Sequence, residues 1–290
     1  MKALLICPDE RTGVAALAES APLSNIPILG KSLVEYWLEH LATLGAKEVL
    51  VLAADRPEQV RAGAGDGARW GLRVTVLPEK RERTLDEMRI KHQANDPAPW
   101  LPAPHDVILM DRLPGLPQLP ICTSYADWFA AVRALLPRAL TPDRIGVQEL
   151  KPGVWVGMHA HVAPDAKLIG PCWIGERVWI EAGAVIGPNV VLEREVFIAR
   201  GAEVSHSVVG PETFVGQFTE VRNSIAWGGT LVNWERDSCL KVTDAFLLCS
   251  RESQPAHPVP ATEKVAARPR LREYVGQWLT SAIREFGPPR

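Results

Sequence analysis

The sequence has few cysteines and does not pair them. Cys7, Cys122, Cys172, Cys239 and Cys249 stand singly, with no C-x-x-C pair. This argues against a zinc knuckle and a disulfide framework, and it fits reduced thiols better, most of them in a core. Charge of one sign is also missing. Lys plus Arg number 32 against 34 acidic residues, for a formal charge of −2, which argues against a broad nucleic-acid surface. No long apolar run occurs either. The opening Met1–Cys7 stretch meets Pro8, Asp9, Glu10 and Arg11 at once, too soon for a signal sequence or a membrane span, so the expectation is a cytoplasmic protein with no span. What is present is ordinary core material: 47% hydrophobic and 23% charged residues in 290 positions, enough for two domains and against global disorder.

The first half reads as α/β. Lys2–Cys7 is a short apolar run, and Leu33–Leu44 places Leu33, Trp37, Leu38, Leu41 and Leu44 at helical spacing before Gly45. Glu48–Ala53 and Leu72–Leu77 read as buried strands, separated by a helical segment from Pro57 to Trp70. Strands alternating with helices predict a parallel sheet. Between Pro78 and Pro120 eight prolines interrupt the pattern around one apolar run, Val107–Met110, and Tyr125–Leu136 supplies another helix.

The second half has a different period. From Val156 an aliphatic residue recurs every six positions through Val162, Leu168, Ile174, Ile180, Ile186, Leu192, Ile198 and Val204, and after one deletion at Val209, Val215 and Val221. The residue after it is usually small, as at Gly157, Gly175, Gly210 and Gly216. Twelve hexads in phase resemble the hexapeptide repeat of left-handed parallel β-helices, in which three hexads make a triangular coil. That resemblance implies about four coils with the aliphatic residues inside. Leu240–Cys249 reads as a cap on the last coil, Gln254–Pro269 as a proline-rich linker, and Leu271–Phe286 as an amphipathic helix. The predicted organisation is residues 1–140 as an α/β domain, 152–250 as an all-β helix, and 251–290 as linker and C-terminal helix.

Residues 1–36, MKALLICPDERTGVAALAESAPLSNIPILGKSLVEY, align without a gap on the opening of the sugar nucleotidyltransferases. Thr12, Leu17, Pro22, Pro27, Gly30, Lys31, Leu33, Glu35 and Tyr36 carry the resemblance. It implies a Rossmann-like, truncated nucleotidyltransferase domain, and that family also fuses such a domain to a hexapeptide β-helix. The chemistry departs from the pattern. Glycines that would close on nucleotide phosphates are Asp9 and Arg11, the family's lysine position is Leu23, and Pro78–Arg83 replaces a second glycine-rich stretch. Only 45 positions separate Asp111 from Val156, too few for a sugar-binding half.

The resemblance therefore implies Arg11, Thr12 and Gly13 as the remaining nucleotide-binding positions, Asp111 as the position of a Mg²⁺ ligand, and a nucleotide or sugar phosphate as the small-molecule partner. The first reading is a nucleotidyltransferase-like protein of nucleotide-sugar or polysaccharide metabolism with its catalysis lost, acting as a binding, regulatory or scaffolding subunit. The alternative is a hexapeptide-repeat acyltransferase using acyl-CoA, with His159, His161 or His206 as general base. A third reading is a homo-oligomerisation module, a dimer or trimer, built either on Trp173, Trp179 and Phe197, which share the sixth hexad place, or on the apolar stripe of the C-terminal helix; the same rings could equally pack beneath the first domain or that helix.

Overall fold

In the computed structural model, residues 1–94, 96–138 and 146–251 are described. The predicted linker Gln254–Pro269 and helix Leu271–Phe286 lie outside the described residues.

The first part is built on a four-stranded parallel sheet. Its strands are β1 (Lys2–Ile6), β2 (Glu48–Ala53), β3 (Arg73–Pro78) and β4 (Val107–Leu109), in the order β3-β2-β1-β4. The central strand β1 is apolar on both faces, as a strand covered on both sides must be. Ala3 and Leu5 join one core, and Leu4 and Ile6 join another with Leu52, Met88 and Val107. Helix α1 (Leu33–Thr43) is started by a capping box in which the Ser32 side chain accepts from the Glu35 N–H while Glu35 accepts from the Ser32 N–H. It ends where Gly45 takes φ +85°. Helix α2 (Pro57–Ala64) has proline in its first turn, and α4 (Tyr125–Leu135) is capped by Ser124.

One helix is missing from the sequence expectation. Helix α3 (Leu85–Gln93) forms inside the proline-interrupted stretch, again on a capping box, Thr84 with Glu87. Its Met88 covers the second sheet face, and its Arg89 grips Asp106 with both ends of the guanidinium, at 2.9 and 3.1 Å.

The second part is a left-handed β-helix of four coils with three faces. The first face stacks Val154–Val156, Cys172–Ile174, Val190–Leu192, Ser207–Val209 and Ser224–Trp227. The second stacks His161–Val162, Trp179–Ile180, Phe197–Ile198 and Thr213–Val215, and the third Lys167–Leu168, Val185–Ile186, Glu203–Ser205 and Glu220–Arg222. Ile174, Ile180, Ile186, Leu192, Ile198, Val209 and Val215 are fully buried in the prism. The single deletion falls at one corner, where the turn through Gly187, Pro188 and Asn189 is followed a coil later by the shorter turn at His206, with φ +47°. Antiparallel strands close the last coil: Thr230–Asn233 and Ser238–Lys241 extend the first face, and Leu248–Ser250 pairs with Thr213–Val215. The expected cap is thus two separate strands.

The two parts share a core. On the first face of the prism, outward-pointing Trp155, Trp173, Val191, Val208 and Ile225 belong to the same buried cluster as Leu5, Leu41 and Phe129. Trp234 stacks on Phe129 with ring centroids 4.5 Å apart. Met1–Pro255 accordingly form one compact unit.

Candidate functional site

The carboxyl ends of parallel strands are where an α/β sheet binds ligands, because the loops there are free to diverge. In this chain that edge is closed from within. The loop after β1 and the segment after β3 lie across the same edge, and their charges meet. Arg11 donates to both carboxylate oxygens of Glu82, at 2.8 and 2.6 Å. Glu82 also accepts from the Asp9 N–H at 2.7 Å, and Asp9 Oδ2 accepts from the Glu82 N–H at 2.9 Å. Four hydrogen bonds, two of them bidentate and charge-assisted, tie the two segments. Between Cys7, Glu79 and Glu82 the remaining gap has no room for a water molecule. Cys7 lies beneath, its thiol pushed up to about 12 by burial.

The positions that the resemblance implies for nucleotide binding make the following contacts. Arg11 is the cation of the lock. Thr12 opens the 3₁₀ segment Thr12–Ala18, and Gly13 lies against Thr123, whose carbonyl oxygen is 1.9 Å from where a Cβ would stand. Leu23, at the family's lysine position, is buried.

Asp111 follows β4 by two residues. Its carbonyl accepts from the Ile121 N–H, and its carboxylate is 3.5 Å from Arg112. Mg²⁺ needs several oxygens in octahedral array. Among the described residues no three His, Cys, Asp or Glu side chains group to hold a metal, and a single carboxylate facing a guanidinium does not fit the ion.

The three histidines are spread over the prism. His159 sits exposed at a corner with φ +57°, and His161 stacks on Trp179 with centroids 4.0 Å apart. His206 lies at another corner, its carbonyl accepting from Trp234 Nε1. None of them lines the cleft that Trp173, Glu193 and Trp227 share.

That cleft, about 1030 Å³, opens where the sheet part meets the prism. Glu193 organises it. The carboxylate is 1% exposed and accepts from the backbone N–H groups of Leu29 and Gly30, at 2.7 and 3.0 Å. Leu29 and Gly30 form the tip of the hairpin Pro27–Ile28/Lys31–Ser32 and both have positive φ, so their amides point outward together. At φ +79° Gly30 holds a conformation that a side chain would strain, and Trp173 lies in ordinary contact, 3.6 Å from its Cβ position. In the prism Glu193 occupies the place that Gly157, Gly175 and Gly210 hold in the other coils. It was missed in the sequence, although it breaks the small-residue column.

Comparisons with known proteins touch both the β-helix and the chain as a whole. Residues 168–243 match the model of the GMPPB C-terminal domain. A glucose-1-phosphate thymidylyltransferase from Streptomyces antibioticus is 24% identical over 72% of this chain. The chain joins a sugar-nucleotidyltransferase-like domain to a hexapeptide-repeat β-helix. A second glucose-1-phosphate thymidylyltransferase, from Streptomyces griseus, is 27% identical over 28% of the chain, and a UTP–glucose-1-phosphate uridylyltransferase from Synechocystis is 29% identical over 35%. The matches span 60%, 23% and 26% of those relatives, so this fusion covers part of their length only. Among solved structures, a perosamine N-acetyltransferase variant from Caulobacter crescentus with CoA and GDP-perosamine is 14% identical, covering 63% of this chain and 94% of that one, with a TM-score of 0.17.

Proposed function

We propose that this protein is a catalytically silent nucleotidyltransferase-like subunit of nucleotide-sugar or polysaccharide metabolism, acting as a binding, regulatory or scaffolding partner. The observation that carries the reading is the lock of Asp9, Arg11 and Glu82 across the carboxyl edge of the sheet. A nucleotide site leaves backbone amides and cations for phosphate oxygens. Here the Asp9 amide and the Arg11 guanidinium are taken by Glu82, and two carboxylates stand where a triphosphate would lie. The relatives named for glucose 1-phosphate support the metabolic setting.

We also place the protein in the cytoplasm and assemble it with itself. No helix among the described residues is long and apolar enough to cross a membrane. The self-association rests on the outward residues of the prism. The first face is apolar and covered, and the third presents Lys167, Glu203 and Glu220 to water. The second face carries a stacked row of His161, Trp179, Phe197 and Phe214, and yet leaves Trp179 45% exposed.

The catalytic part of the reading is tested by thermal shift with dTTP, UTP or GTP and Mg²⁺, together with pyrophosphate release from glucose 1-phosphate. A ligand at 100 times its Kd would stabilise the fold by about 2.7 kcal/mol, so the expected outcome is a melting temperature within one degree of the free protein and no turnover. A Mg²⁺-dependent rise of several degrees, or steady pyrophosphate release, overturns it.

A further inference from the structure

With the sheet edge closed, the junction cleft offers a separate concave surface, and at about 1030 Å³ it matches the upper range for small-molecule sites. The character of its wall narrows the ligand. Four cations line it, and each already faces a carboxylate. Lys31 meets Glu39 at 2.9 Å, Arg69 meets Glu35 at 2.8 Å, Arg194 meets Glu212 at 3.1 Å, and Lys241 meets Glu19 at 3.4 Å. A phosphate entering the cleft would have to break such a pair and leave its carboxylate beside the incoming anion. Like charges at that distance repel, so a polyanion gains little there.

A neutral, hydroxyl-rich molecule meets no such penalty. A sugar hydroxyl donates to a carboxylate or backbone carbonyl and accepts from a guanidinium or amide, so it adds to an ion pair without breaking it. The wall also offers what a pyranose needs beyond hydrogen bonds. At Gly228 and Gly229 the chain presents bare backbone to the cleft, with no side chain to hold a ring away. Beside them lies Trp227. Its indole rests on Gly210, where an added Cβ would come within 2.5 Å of the ring, so the ring is held in place while it lines the cleft. An indole fixed in this way is a stacking surface for the C–H face of a sugar, and such contacts lose little side-chain entropy on binding.

We propose that the junction cleft between the sheet part and the β-helix is a binding site for a neutral saccharide, one or two sugar units long, with Trp227 as its stacking ring. This inference stands apart from the catalytic reading above. A silent sheet edge and a saccharide-binding junction can be true or false separately.

The test is saturation-transfer NMR and tryptophan fluorescence on the full chain. The probes are maltose, cellobiose and mannobiose at 10 mM, with inorganic phosphate and UDP as anionic counterparts. The expected result is saturation transfer to at least one disaccharide, weakened fivefold or more in Trp227→Phe, with no fluorescence response to phosphate. Trp227→Phe keeps an aromatic ring on Gly210, and its melting temperature reports whether it has folded. Trp179→Ala removes an exposed indole that does not line the cleft and should leave the saccharide signal unchanged. The proposal is overturned by transfer to none of the three disaccharides, by tighter binding of phosphate or UDP than of any of them, or by a signal that survives Trp227→Phe and disappears in Trp179→Ala.

Discussion

Replacing Glu193 by Ala removes the carboxylate that holds the hairpin tip on the prism. Two backbone donors, Leu29 N–H and Gly30 N–H, lose their acceptor at 2.7 and 3.0 Å. Leu29 is fully buried, so water cannot replace the lost bond cheaply. Hydrogen bonds to a charged group are worth about 1.5–3 kcal/mol each, and a buried donor left unsatisfied costs a similar amount. The two bonds share one carboxylate and are not additive, and removing a buried charge recovers part of its desolvation. The expected loss is about 3–5 kcal/mol. In a unit of this size 1 kcal/mol shifts the melting temperature by about 2–4 °C, so Glu193→Ala should melt about 10 °C below the parent. The prism does not need the side chain, since Gly157, Gly175 and Gly210 hold the same place in other coils. Glu193→Gln keeps one acceptor oxygen and should fall between the two. The assay is urea unfolding followed by far-ultraviolet circular dichroism, with Glu212→Ala as a half-exposed control that should cost less than about 1 kcal/mol. A loss below about 1 kcal/mol in Glu193→Ala, or a Glu193→Gln protein as stable as the parent, refutes the reasoning.

Three further outcomes are expected. Asp106 is held down to about 2 by its hydrogen bonds with Arg89. Its folded value is therefore below the unfolded one, its contribution is complete above about pH 4 and is lost as pH falls towards 2, and Asp106→Asn should cost about 2 kcal/mol at pH 7 and little at pH 2 in acid-unfolding curves; equal cost at both ends would sink this. Cys7, Cys122 and Cys172 are buried with thiols raised to about 12, Cys249 is buried too, and Cys239 is exposed. A chromogenic disulfide should thus titrate one thiol quickly in the native protein, and none in Cys239→Ser. Finally, light scattering should find a dimer or trimer at tens of micromolar and a smaller species for Trp179→Ser; a monomeric parent rejects the proposed assembly.

The period of six carried the second half of the fold because every coil repeats the same requirement, an aliphatic residue inside the prism. The requirement is local, so it is visible in the sequence. What lies outside the prism is not local. Trp173 and Trp179 share a hexad place, yet one is buried under the sheet part and the other is on the open second face, and only the docking of the two parts distinguishes them. Helix α3 was legible in principle. Thr84 and Glu87 form a capping box three residues apart, but the surrounding prolines drew attention to the breaks. At the sheet edge, Asp9 and Arg11 stand out as departures from a glycine loop. Their partner Glu82 lies 71 residues beyond Arg11, and it becomes a neighbour only because β1, β2 and β3 run parallel and end on one edge.

On the proposed reading, the lock lets the fold persist without a nucleotide. A loop of glycines kept open for phosphates gives up contacts that only a ligand restores, so part of such a domain's stability is supplied on binding. Here the Asp9 amide, the Arg11 guanidinium and the Glu82 backbone are satisfied within the chain. The sheet edge therefore needs no nucleotide for its stability. Loosening it by Glu82→Gln would leave Arg11 with a weaker partner, but Asp9 would still face any incoming phosphate. On that reading, one substitution does not restore a site. The hydrogen bonds that hold the edge shut are the ones a nucleotide would have to displace, and the two carboxylates that make them are the groups that repel it.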